Sequence, residues 1–138
     1  MRRLFCIICL TLLLSSNVSA ADVNGVEVNV LSKSGSSWDG SVLPVYTNGK
    51  PEITILRIII PPGALLPLHK HPVINAGVLL RGELTVVTED RRTLHLKAGE
   101  AIVEVVNTLH SGKNEGDKPA EIIVFYAGTV GAPITVNQ

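Results

Sequence analysis

Cysteine is almost missing from this chain of 138 residues: Cys6 and Cys9 are the only two, and both fall within the first ten positions. No apolar run approaches the roughly 20 residues needed to span a bilayer, since the longest stretch runs only from Leu4 to Leu14. No excess of charge exists either, with 12 basic against 12 acidic side chains and no long like-charged run, so the basic footprint of a nucleic-acid binder is excluded. Aromatics make up 4% of the residues and include a single tryptophan, Trp38. No credible amphipathic helix separates the β-branched runs, which argues against a parallel α/β sheet.

What is present begins with Met1, Arg2 and Arg3, then the apolar Leu4 to Leu14, then Ser15, Ser16, Asn17, Val18, Ser19 and Ala20. A positive start, an apolar core of about 7 to 15 residues and a small-residue exit form the order of a secretory signal peptide. We therefore expect residues 1–20 to be a leader cut before Ala21, leaving one domain over 21–138 in the periplasm or outside the cell, with no membrane contact after cleavage. Cys9 follows Ile8 rather than a small residue, which is unlike a lipid-attachment site. Both cysteines and Arg2 and Arg3 leave with the leader, so the mature chain has ten basic and twelve acidic side chains, a net charge of −2. Without disulfides its stability must come from a packed core.

From Glu52 onward, short β-branched runs alternate with turn residues. Strands are expected over Glu52 to Ile60, Val73 to Leu80, Glu83 to Thr88, Arg92 to Lys97, Glu100 to Val106 and Ala120 to Ala127. Six runs at this spacing predict an all-β antiparallel sandwich or barrel. Val26 to Leu31 alternates like a strand, and Ser32 to Gly40 reads as a Ser- and Gly-rich loop in which Trp38 plugs one end of the barrel. The tail after Gly128 suits either a sheet edge or a second subunit, so a homodimer is among the expectations.

Three of the four histidines fall where a metal site would use them. His69 and His71 alternate by one residue, so an extended segment turns both imidazoles to one face. His110 follows the turn-like Asn107-Thr108 and meets them once a barrel closes. Three neutral imidazoles suit a divalent transition metal, whether Fe, Mn, Ni, Cu, Co or Zn, without choosing among them. His95 alternates with Thr93 and Lys97 opposite Leu94 and Leu96 and is expected at the surface.

The frame around these histidines resembles the two motifs of the cupin superfamily. Gly63, His69, His71, Asn75 and Gly82 follow the spacing of the first motif, with Asn75 where the family usually has a glutamate. Gly99, Val105, Asn107, His110 and Asn114 follow the second, with Val105 for the usual proline and Asn107 for the usual glycine. Asparagine tolerates the left-handed backbone that such a glycine uses, so the latter exchange is chemically mild.

The resemblance implies a small single-domain cupin: a double-stranded β-helix, or jelly-roll barrel, with His69, His71 and His110 as metal ligands and Asn75 as a weak fourth candidate. Asn75 offers a neutral amide oxygen and no base. An ion held this way keeps its double charge, which favours anionic ligands and is similar to the three-histidine iron sites of thiol dioxygenases among the cupins. Two further candidates for catalysis come from the residues themselves. Glu104 precedes His110 across the turn and, if inward, can orient His110 or act as a base; facing water is the equal alternative. Arg57 shares a strand face with Ile53, Ile55 and Ile59 and, if that face lines the barrel, can clamp a carboxylate; an outward arginine is the favoured alternative. Tyr46 and Tyr126 are candidate pocket hydroxyls.

Function then divides into a non-haem metal oxygenase or isomerase acting on a small polar or anionic molecule, and a non-catalytic periplasmic cupin that binds one. A pure scaffold is disfavoured by three histidines at ligand spacing, and the sequence does not choose between the first two.

Overall fold

The computed structural model describes residues 25–46 and 48–138. The leader expected over residues 1–20 and its cleavage point lie outside the described residues. The chain divides into a unit ending at Val30 and a unit from Leu31 to Gln138 that holds every strand named below. In the first unit, residues 25–30 are exposed and contain no continuous strand, so the strand expected over Val26 to Leu31 does not form. Val26, Val28 and Val30 are all about half exposed or more, so alternation here buries no apolar face among the described residues.

In the second unit the strands are β1 (Pro51–Ile60), β2 (Leu65–Lys70), β3 (Ile74–Arg81), β4 (Glu83–Thr88), β5 (Thr93–Lys97), β6 (Ala101–Val103), β7 (His110–Lys113), β8 (Ala120–Thr129) and β9 (Val136–Asn137). They form two antiparallel sheets, one in the order β1-β8-β3-β6 and the other β5-β4-β7-β2-β9. Apart from β4 and β5, neighbouring strands are non-consecutive, so the chain crosses repeatedly between sheets, which is the double-stranded β-helix the sequence predicts.

All six expected strands are present, with β6 shorter than expected because the chain leaves the sheet after Val103. The strands not foreseen are β2, β7 and β9. β9 pairs with β2 through His69 opposite Asn137 and Lys70 opposite Val136, so the tail completes a sheet edge of its own unit.

Alternation along β1 divides it into two apolar faces. Leu56, Ile58 and Ile60 turn inward, whereas Ile53, Ile55 and Ile59 remain more than half exposed. On the paired strand β8, Ile122, Val124 and Tyr126 face the interior. With Leu79, Leu84, Val86, Leu96 and Ile102 they make the buried core between the sheets.

Two turns show why their residues are what they are. Gly82, between β3 and β4, has φ +75°, and a side chain there would stand 2.8 Å from both the Ala120 Cα and the Pro119 carbonyl oxygen, so only glycine fits. Asn107 adopts φ +58°, the left-handed conformation expected of an asparagine standing in for glycine.

Candidate metal centre

The antiparallel pairing of β2 with β7 sets His69 directly opposite His110. A register shift between Leu66 and His69 brings this about. His71 lies one residue beyond the end of β2, and its carbonyl accepts the Asn107 N–H at 2.8 Å, which ties the first motif to the second. The three rings have centroids 4.4 to 5.0 Å apart, and one ring nitrogen from each lies within 4.8 Å of the others.

Each ring is oriented by a main-chain oxygen. His69 Nδ1 donates to the Pro67 carbonyl at 2.7 Å, His71 Nδ1 to Ile134 at 2.8 Å and His110 Nδ1 to Thr108 at 2.9 Å. A carbonyl only accepts, so all three protons sit on Nδ1 and all three Nε2 lone pairs are free toward the interior. Burial pushes His71 down to about 4 and lowers His69 as well, the neighbouring histidines adding to both effects. At neutral pH both are uncharged, which is the form that coordinates an ion. The donor set and its second layer of hydrogen bonds fit a divalent transition metal, and these three histidines can hold one.

Around them lies a cavity of about 250 Å³ with largely apolar walls, including Leu56, Ile58, Leu66, Leu84, Val86 and Val124. Its polar lining comprises the histidines, Asn75, Glu104, Tyr126, Thr135 and Asn137. Asn75 is buried on β3, and its Nδ2 makes a long 3.4 Å hydrogen bond to the Val73 carbonyl. Tyr126 packs edge-on against His71 with ring centroids 5.3 Å apart. Burial, with the nearby Glu104 charge, pushes its hydroxyl above the usual range and keeps it protonated.

Of the catalytic candidates, Glu104 points inward. It is 8% exposed, and Oε2 stands 3.8 Å from His110 Nε2. The orienting role expected of it belongs instead to the Thr108 carbonyl, because Glu104 faces the other ring nitrogen. Arg57 lies on the outer face of β1, 59% exposed, and pairs with Glu121; it does not line the cavity. Arg81 joins that pair, and the two arginines hold the Glu121 carboxyl down to about 2. Tyr46, 79% exposed, is likewise outside the cavity. His95 is exposed, as expected, and its Nδ1 is hydrogen-bonded with the Thr85 hydroxyl.

Trp38 does more than cover the core. Its indole N–H donates to Glu104 Oε1 at 2.8 Å. That link and the carbonyl of Ile134 were not foreseen, because the Ser-rich loop and the tail carry no periodicity from which a partner can be read. Asn114, fully buried at the end of the second motif, is structural: Nδ2 donates to the carbonyls of Ile60 and Lys118, and Oδ1 accepts the Gly116 N–H.

Comparison with known proteins agrees with this architecture. A family profile described as "Cupin domain" matches residues 56–126. Among solved structures, the DMSP lyase DddQ from Ruegeria pomeroyi DSS-3 is 21% identical with a TM-score of 0.55, over 62% of this chain and 43% of the lyase. An uncharacterized conserved protein with a double-stranded β-helix domain from Klebsiella pneumoniae subsp. pneumoniae MGH 78578 is 21% identical with a TM-score of 0.54, over 71% of this chain and 90% of the other. The oxalate decarboxylase formate complex of Lactobacillus farciminis is 23% identical with a TM-score of 0.54, over 62% of this chain and 26% of the enzyme. At these identities the likeness is one of fold, and the chain spans less than half the length of either enzyme. No curated protein matches the chain.

Proposed function

Because the chain belongs to the cupin family, we propose that it is an exported cupin that holds a divalent transition metal on His69, His71 and His110 and binds a small polar or anionic molecule beside it. The observation that carries this reading is the set of three Nε2 lone pairs turned to one point, each fixed by an Nδ1–H donated to a backbone carbonyl. Three protein donors leave further positions for a ligand, as in reactive rather than structural sites. When bound, such an ion supplies Lewis acidity and redox capacity at those positions. The chemistry best matched is that of a non-haem oxygenase or isomerase.

The chain's own residues confine and orient the ligand. About 250 Å³ admits only a small molecule, and the aliphatic walls exclude water around it. Tyr126, kept protonated, is a hydroxyl available to donate to an anionic or carbonyl oxygen. The arginine pair at Glu121 is on the outside and takes no part. Non-catalytic binding is the second reading, favoured by Asn75, which removes the acid the family usually places on this strand. Export is supported by the Arg2-Arg3, Leu4 to Leu14 and Val18-Ser19-Ala20 pattern.

Metal analysis of protein purified from its native compartment, followed by competitive chelator titration of wild type and His71→Ala, tests the proposal. Near-stoichiometric metal in wild type and its loss in His71→Ala are expected. Equal retention in both places the ion elsewhere and overturns the reading. Azide or formate added to the cobalt-loaded protein should perturb its visible spectrum if open positions accept anions.

A further inference from the structure

The inward-facing residues of the barrel change character in steps along its strands. At one level Tyr126 of β8 stands opposite Asn75 of β3, while in the other sheet His110 of β7 stands opposite His69 of β2. One inward-facing position further along β8, a step of roughly 6–7 Å, Val124 faces Leu56 of β1, and in the second sheet Gly112 is paired with both Leu66 and Val86. The next step sets Ile122 opposite Ile58, with Leu84 two residues from Val86 on β4. All of these residues line the same cavity, which therefore has a polar end at the histidines and an aliphatic remainder.

Charge is distributed just as unevenly. Among the described residues no lysine or arginine lines the cavity, and its single acid is Glu104, 3.8 Å from His110 Nε2 at the polar end. Arg57 and Arg81 are committed to Glu121 on the outer face. An anion entering the cavity finds its counter-charge at the histidine end, from an ion held there, and none along the aliphatic walls. A second anionic group on the same ligand would be buried among leucine, isoleucine and valine without a partner, which is costly. At about 30 Å³ for each water-sized group, 250 Å³ holds about eight non-hydrogen atoms.

We propose that the ligand of this centre is a short aliphatic monocarboxylate of about four to six carbons, with its carboxylate at the histidine end and its hydrocarbon body between Leu66, Val86, Ile122 and Val124. The proposal rests on the metal reading above and narrows its small polar or anionic molecule to one with a single charged end and an apolar body. Diacids and sugars do not fit that division, because they carry a charged or hydroxylated end onto walls that can bond neither.

The test is titration of the cobalt-loaded protein with acetate, propionate, butyrate, pentanoate, hexanoate and octanoate, read in the visible ligand-field bands. Each buried methylene should tighten binding about fourfold, and the gain should stop at about six carbons, where the cavity is full. Glutarate, which has the chain length of pentanoate and a second carboxylate, should bind at least about tenfold more weakly than pentanoate. Val86→Phe fills the aliphatic part and should end the gain at or before butyrate. Affinities that stay flat from acetate to hexanoate, glutarate binding as tightly as pentanoate, or a folded Val86→Phe with the wild-type limit each overturn the proposal. The first two are read on wild type and decide the matter should the variant not fold. Cobalt retained with a flat series removes this ligand class alone and leaves the histidine site standing, whereas a wild-type protein that holds no cobalt removes both.

Discussion

Acidifying the metal-free protein should weaken its fold through His71. In the folded chain burial holds this imidazole at about 4, against an ordinary value of 6.5. Between those two values the unfolded chain binds a proton that the folded chain does not, so stability falls as the pH falls. The contribution is fully present above 6.5 and lost as the pH drops through the window toward 4. A gap of about two and a half pH units at 1.36 kcal/mol per unit amounts to about 3 kcal/mol. That is a large share of the roughly 5–15 kcal/mol by which domains are stable. The assay is urea unfolding in chelator at several pH values between about 7.5 and 4.5 for wild type and His71→Gln. Carboxylates titrate in both proteins and cancel in the difference. The wild-type advantage should shrink by about 2–3 kcal/mol across the window, and a difference that stays flat would refute the assignment of a neutral, buried His71. Saturating metal should flatten the wild-type curve until protons displace the ion.

Three further outcomes test the frame around the site. Asn114→Ala removes two donors to buried carbonyls and should cost about 2–4 kcal/mol in urea unfolding, without the variant's metal affinity changing in whatever fraction stays folded. Leu79→Ala, at a position with no exposure, should cost about 2–5 kcal/mol by the same assay. Arg57→Ala should leave chelator-titrated metal affinity at the wild-type value, because its guanidinium meets Glu121 outside the barrel; a substantial loss would contradict the outward placement.

The histidine positions were legible in the sequence because they depend on spacing alone: one intervening residue sets two side chains on one face, and Asn107 marks the turn that returns His110 to them. The strands that carry those histidines were harder to read. Pro61, Pro62, Pro67 and Pro72 surround or interrupt β2, and β7 reads His-Ser-Gly-Lys, which has no β-branched pattern. Alternation along β1 correctly separated Arg57 from Leu56 and Ile58, but isoleucines on both faces hid which one was inside. Glu104 could not be placed by alternation at all, since β6 ends one residue before it and loop contacts from Ser37 and Trp38 decide its direction.

The clamps on the three imidazoles are main-chain oxygens of Pro67, Thr108 and Ile134. No substitution deletes a carbonyl, so ring orientation is insulated from point mutation at the clamping residues. Retuning of the cavity by substitution is thereby channelled into side chains that line it beside the rings, Asn75, Glu104 and Tyr126, and away from the residues whose carbonyls set the direction of the nitrogens.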